Sequence, residues 1–163
     1  MSGTTPVFVL NRGSALSDLV YDYSGSIARY VADGLRLDPE ELLKGFSFAI
    51  LHNNKLVGGV TFSDYRPDDS AWISIYTTDK HWCTAICLKQ IFSIAFHALK
   101  CRRINALIRS DNHASISLAT RCGFVFEGKM RKYFSTGQDA LVLGMLASEC
   151  KFINHQTTGE NHV

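Results

Sequence analysis

The stretch NALIRSDNHASISLATRCGFVFEG, residues 105–128, lays out a strand, a helix and the start of a second strand. Ile104 to Arg109 reads as the strand. Ser110-Asp111-Asn112 supplies cap residues for a helix that runs to Arg121, because short polar side chains satisfy the open N–H groups of a first turn. Cys122-Gly123 ends it, since glycine takes the left-handed conformation that closes helices. Asn112 and Ser115 are one helical turn apart and point the same way at the helix start. Free backbone N–H groups there favour negative charge.

Working outward, Trp82 to Leu99 is mostly apolar and free of Gly and Pro, which predicts one long helix buried on a wide face. Phe46 to His52 and Lys55 to Phe62 are apolar runs joined by Asn53-Asn54, a pair that tolerates positive φ and fits a hairpin. Arg66-Pro67-Asp68-Asp69 turns the chain into a third strand of that meander, Ala71 to Thr77. Nearer the start, Pro6 to Asn11 reads as a strand and Ser14 as a cap, with helical spacing at Leu16, Leu19, Val20 and Tyr23. Gly25 breaks that segment, and helices follow from Ser26 to Asp33 and from Pro39 to Lys44. Downstream, Phe124 to Phe134 and Ala140 to Leu146 alternate as two strands around Ser135-Thr136-Gly137. The order is strand, helix, helix, three strands, helix, strand, helix, two strands. It predicts an α/β (α+β) domain over residues 1–150, a mixed sheet of about seven strands with helices on both faces, followed by a polar tail, 151–163.

Composition narrows the function. With 163 residues, 46% apolar and 20% charged, the chain fits one globular domain. A net charge of +2 with dispersed cations argues against nucleic acid as a partner. No run approaches the roughly 20 apolar residues of a membrane span, and Met1 to Val9 lacks the pattern of a signal peptide, so the expected location is the cytoplasm. The cysteines at 83, 87, 101, 122 and 150 form no CxxC pair and read as small hydrophobes in a reducing compartment. A metal site built from His81, Cys83, Cys87, His97 and Cys101 would need ligands from both ends of one helix, so none is expected.

The pattern of Asn112, Ser115 and Leu118, then Gly123-Phe124, Glu127-Gly128 and the basic strand Lys129 to Tyr133, resembles the GNAT superfamily of N-acetyltransferases. It is more similar to the ribosomal-protein-acetyltransferase (RimJ/RimL) type. The resemblance runs from Trp72 to Leu146, and the wording around His81-Trp82 and Asp139 to Cys150 is similar to phage-encoded members. It implies a mostly antiparallel sheet whose fourth and fifth strands splay to admit acetyl-CoA, the expected co-substrate, with an amine as acceptor and no metal. A backbone N–H near Ile75 or Tyr76 would bond the thioester carbonyl, where charge develops during attack. The family's pyrophosphate loop departs here: its glycine positions hold Thr84 and Ile86, or Cys83 and Ala85 with Lys80 in the basic place. Backbone N–H groups from Trp82 to Ala85 remain to hold phosphate, with Lys80 or His81 for charge.

A tyrosine that often follows the motif leucine is Ala119 here, so the resemblance assigns protonation of the leaving thiolate to Ser115, with Asn112 on the pantetheine arm. A hydroxyl in a first turn also commonly caps backbone N–H groups. The general base is sought among Glu127, Tyr76, Asp111, Asp139 and His113, and Tyr133 and Phe134 are candidates for the acceptor pocket. The expected function is direct acetyl transfer to an amine of a protein N-terminus, a lysine or a small molecule, by a chain free to form a homodimer. The alternative, favoured by the missing loop glycine, is a GNAT-fold binding or inhibitory module that acts on a host protein.

Overall fold

The structure is a computed structural model that describes residues 17–153. The strand expected at Pro6 to Asn11, the cap at Ser14, Leu16 and the tail beyond residue 153 lie outside the described residues. The elements are β1 (Ser17–Tyr21), α1 (Ser26–Leu35), α2 (Pro39–Leu43), β2 (Phe46–His52), β3 (Lys55–Arg66), β4 (Ser70–Thr77), α3 (Ala85–Ser93), β5 (Arg103–Arg109), α4 (His113–Cys122), β6 (Val125–Met130) and β7 (Ala140–Leu146). They form one seven-stranded sheet in the order β1-β2-β3-β4-β5-β7-β6. Only β4 and β5 run parallel; every other pairing is antiparallel.

Three expectations need correction. The helix expected from Leu16 to Tyr23 is β1, paired with β2 through Leu19↔Ile50. Leu19 is buried and Val20 exposed, the alternation of a strand, and five residues are too few for a helical period to be told from it. The single helix expected over Trp82 to Leu99 is three pieces: a 3-10 turn at Lys80–Trp82, α3, and a π-helical turn at Ile94–Ala98. Asp79 accepts the N–H of His81 and caps the start of the first piece, while the Thr84 hydroxyl accepts the N–H of Cys87 and starts α3 afresh. At the far end the N–H of Leu99 reaches Ile94 O at 2.8 Å, the wider spacing of a π turn. Finally, β6 stops at Met130 instead of Phe134, because Lys132 turns left-handed (φ 50°) and gives its N–H to the Asp139 carboxylate at 2.8 Å.

The two faces of the sheet are covered by different helices. α1 and α2 bury Ile27, Val31 and Leu42 against Ala49 and Tyr76. α3 and α4 lie over the larger core, where Phe48, Phe62, Ile91, Phe92, Ile104 and Met145 meet. α1 sits close because Gly59 has no side chain: a Cβ there would stand 2.7 Å from both Ile27 and Val31. Cys87, Cys101, Cys122 and Cys150 are buried in the large core and all five cysteines are free thiols. Burial pushes the Cys87 thiol up to about 12 and those of Cys101 and Cys122 to about 11, so these are apolar filling and not nucleophiles.

Gly45, where the chain enters β2, packs against the backbone of β3, and an added Cβ would meet the Phe62 carbonyl oxygen. Because backbone must move to admit it, Gly45→Ala should cost about 1–3 kcal/mol. Urea unfolding with an unchanged midpoint would contradict this packing.

Candidate active site

β4 and β5 are joined only at their starts, at Ser70↔Arg103, Ala71↔Ile104 and Trp72↔Asn105. The N–H of Arg103 reaches Asp69 O at 3.3 Å and the Asn105 side-chain amide reaches Ala71 O at 3.4 Å. Peptide groups alternate in direction along a strand, so the odd-numbered positions of β4 face β5. On the other side, the N–H of Thr78 bonds Val57 O of β3 at 2.8 Å, which assigns the even positions to β3. Past Trp72 the strands part around a cleft of about 510 Å³. The alternation therefore aims the N–H of Ile75 into the cleft and that of Tyr76 away from it.

Apolar side chains, among them Ile73, Leu88, Phe92, Leu118 and Phe124, make most of the cleft wall. Of the residues singled out in the sequence, Ile75, Lys80, Trp82, Asn112, Ser115 and Phe134 line it. Asn112 caps α4 by accepting the N–H of Ser115 at 3.1 Å. The capping role open to the Ser115 hydroxyl is thus filled by its neighbour, and that hydroxyl has no hydrogen-bond partner among the described residues.

Other expected site residues lie elsewhere. Tyr76 packs its ring on Tyr30, with centroids 5.3 Å apart, on the α1 face of the sheet. Glu127 is bonded to Arg103 at 2.6 Å, level with the joined ends of β4 and β5. His81 is exposed and its ring bonds Asp79 at 2.8 Å. Trp82 is buried, and its N–H is taken by Asp79 O; the N–H of Thr84 is taken by Trp82 O, and the N–H of Cys87 by the Thr84 hydroxyl. Of the amides expected to hold phosphate, those of Trp82 and Thr84 are therefore used internally. The first-turn amides of Ala85 and Ile86 stand at the start of α3. Cys83, half-buried, has its thiol pushed up by desolvation.

Asp79 lines the cleft, Asp111 follows the end of β5, and Asp139 stands beside that end, its carbonyl taking the N–H of Ser110. The N–H and ring of His81 hold Asp79 below the usual carboxylate range. Hydrogen bonds from Arg109 do the same for Asp111, and the N–H of Lys132 does so for Asp139. A carboxylate held low is a weak base, so Asp111 and Asp139 are poor proton acceptors as they stand. Glu127 is engaged by Arg103, and His113 is exposed at the start of α4.

Sequence reading missed Asp79, Arg109 and the pair Leu35 and Leu37, all of which line the cleft. Asp79 was legible as an Asx turn ahead of a new helix. Arg109 was legible as the last residue of β5 with an acid two positions on. Leu35 and Leu37 look like ordinary core residues and carried no signal. Among the described residues no group of three or more His, Cys, Asp or Glu is placed to hold a metal ion.

The model of the acetyltransferase (GNAT) domain matches residues 24–125. Solved structures of spermidine N-acetyltransferase from Vibrio cholerae share the fold. A point mutant of that enzyme has 18% identity and a TM-score of 0.67, over 85% of this chain and 97% of that one. A dodecameric form in an intermediate state gives 18% and 0.66, over 86% and 98%. A complex with manganese ions gives 19% and 0.64, over 82% and 94%. No match is found among curated proteins.

The rim carboxylates predict a defined acid response. Asp79, Asp111 and Asp139 each have a folded pKa below the unfolded one. Their stabilisation is complete above the unfolded value of about 3.9 and lost as pH falls through the folded values. Melting temperatures should respond to these groups only below about pH 4. A loss of the same size in the Asp79→Asn, Asp111→Asn, Asp139→Asn triple variant would show that other groups carry it.

Proposed function

With the chain a member of the GNAT acetyltransferase family, we infer that it moves the acetyl group of acetyl-CoA directly to an amine, with no covalent intermediate on the protein. One observation carries this reading: the N–H of Ile75, first past the last rung of the β4–β5 ladder, faces a cleft that the Ser115 hydroxyl also lines. An N–H fixed by its strand would donate to the thioester carbonyl oxygen as attack makes it negative, and such a donor needs no reorganisation during the reaction. The Ser115 hydroxyl, not committed to a cap, would give its proton to the departing sulfur. Lys80 and the first-turn amides of Ala85 and Ile86 would hold the diphosphate of CoA. The high pKa values of the buried thiols support direct transfer over a cysteine relay, and free thiols suit the reducing conditions of the cytoplasm. Spermidine, named for the structural neighbours, is one amine to try as acceptor.

The Asp79 carboxylate also lines the cleft beside Lys80, where it repels phosphate. That favours the second reading, a binding or inhibitory module that has kept the GNAT fold and lost tight CoA binding. Thermal melting separates the two. Acetyl-CoA at a hundredfold excess over its Kd should stabilise the fold by about 2.7 kcal/mol. A melt unmoved by millimolar acetyl-CoA would leave the binding module standing.

Ser115→Ala should lower kcat and kcat/KM together, on the order of 10²-fold, since its proton is given only as the thiolate leaves. The calorimetric Kd for acetyl-CoA should stay within about twofold, as the hydroxyl adds little to ground-state binding. Retention of full turnover would reduce Ser115 to a wall residue.

A further inference from the structure

A second cavity of about 480 Å³ opens beside the cleft and is lined by Gly34, Leu35, Arg36, Arg109, Asp111 and Asn112. It shares Leu35, Arg109 and Asn112 with the cleft, so the two meet at the C-terminal end of β5. We propose that this second cavity is the acceptor's subsite and that Arg36 and Arg109 select an amine carrying a carboxylate close by, which makes an acidic amine the preferred acceptor.

The proposal rests on the acetyl-transfer reading above and names its substrate class. Arg109 gives Nε and Nη2 to the two Asp111 oxygens at 3.1 and 2.9 Å. A guanidinium has five N–H donors in a planar fork, so the edge bearing Nη1 stays open after that pairing. Its plane is set by Asp111 and by the Phe134 ring, 5.9 Å from Cζ, and a preset plane is what two-pronged carboxylate binding requires. Arg36 has no acidic partner among the described residues. Across the same end of the sheet, Met130, Ala140 and Arg109 lie side by side on β6, β7 and β5, so Arg131 and Lys132 follow the end of β6 two strands away from Arg109, outside the cavity lining. The acids beside Arg109 are already engaged, Asp111 by Arg109, and Asp139 by Lys129 and the N–H of Lys132, while Asp33 and Asp38, exposed in the sequence around Arg36, do not line the cavity. Among the residues lining the cavity, Arg36 and Arg109 outnumber Asp111. A polyamine entering here would meet like charge, whereas an acceptor bearing a carboxylate would be drawn in and oriented with its amine toward the cleft.

The test measures kcat/KM with saturating acetyl-CoA for four acceptors: a tetrapeptide amide beginning with Asp, the same peptide beginning with Lys, free glutamate, and spermidine. The two acidic acceptors should exceed the other two at least tenfold, and the gap between them shows whether a peptide or a small molecule fits better. Arg36→Glu, at an exposed position, should raise KM for the acidic acceptors tenfold or more and improve spermidine, with the calorimetric Kd for acetyl-CoA unchanged. Equal or better turnover of spermidine or the Lys peptide by the unmodified protein overturns the proposal, as does transfer to none of the four while acetyl-CoA still binds. Failure of acetyl-CoA to bind overturns instead the acetyl-transfer reading on which the proposal rests.

Discussion

A chain of hydrogen bonds across one end of the sheet holds the cleft open at the other. The Asn105 side-chain amide donates to Ala71 O on β4, and Asn105 Oδ1 accepts Arg103 Nε at 2.7 Å. Arg103 Nη2 then bonds Glu127 on β6 at 2.6 Å. The bridge crosses β7 over Gly144, where any Cβ would collide with both partners. Four strands are thereby fixed where β4 and β5 are still paired. Beyond Trp72 and Asn105 the parallel ladder stops, and the two strands present unpaired peptide groups to each other. Such groups cost about 1–3 kcal/mol each if left dry. An apolar cleft with half a hydrogen-bond ladder on its walls therefore favours an extended ligand that carries amides of its own.

The same clamp gives Glu127-Gly128 a structural meaning. A bulge in the β6–β7 register falls between Phe126 and Gly128, and it turns the Glu127 side chain across β7 toward Arg103. The carboxylate is engaged at the joined end of the strands, away from the widening end where Ile75 and Ser115 stand. Charge is divided along the cleft as well. Where the 3-10 turn meets α3, Asp79 accepts the N–H and ring of His81 and stands beside Lys80 on the cleft wall. At the end of β5, Arg109 and Arg36 outnumber Asp111.

Most of the fold was legible because its signals are local. Gly123 closes α4 at φ 112° and Asn112 caps it, as the 105–128 stretch requires, and Asn53 and Asn54 both take positive φ in the hairpin. Errors arose where local patterns are degenerate. Leu19, Val20 and Tyr23 fit a helix or a strand equally, and pairing with β2 decides between them. The apolar run from Trp82 to Leu99 conceals two changes, because the Thr84 side chain starts a helix afresh and the shift to π bonding at Ile94 leaves the hydrophobic pattern undisturbed. Within the candidate site, residue types were legible but directions were not. Ile75 and Tyr76 are neighbours in sequence, and only the register with β3 and β5 separates a peptide group that faces the cleft from one that faces away. Arg109 and Asp79 escaped notice because a charged residue at a strand end ordinarily reads as solvated surface.

The state of the rim carboxylates shifts a burden onto the acceptor. Asp79, Asp111 and Asp139 are all held below the ordinary carboxylate range, so each is a weaker base than a free side chain and removes a proton from an ammonium slowly. An acceptor would then react chiefly through the fraction that arrives neutral. For the terminal α-amine of a peptide, with a pKa near 7.7–8.0, that fraction is about a tenth at pH 7; for a lysine, near 10.4, it is below about one in a thousand. The Arg109 guanidinium is offset by its pairing with Asp111, so the acceptor's own amine sets this fraction. Under this arrangement the site can dispense with a dedicated base by choosing an acceptor whose amine is already close to neutral.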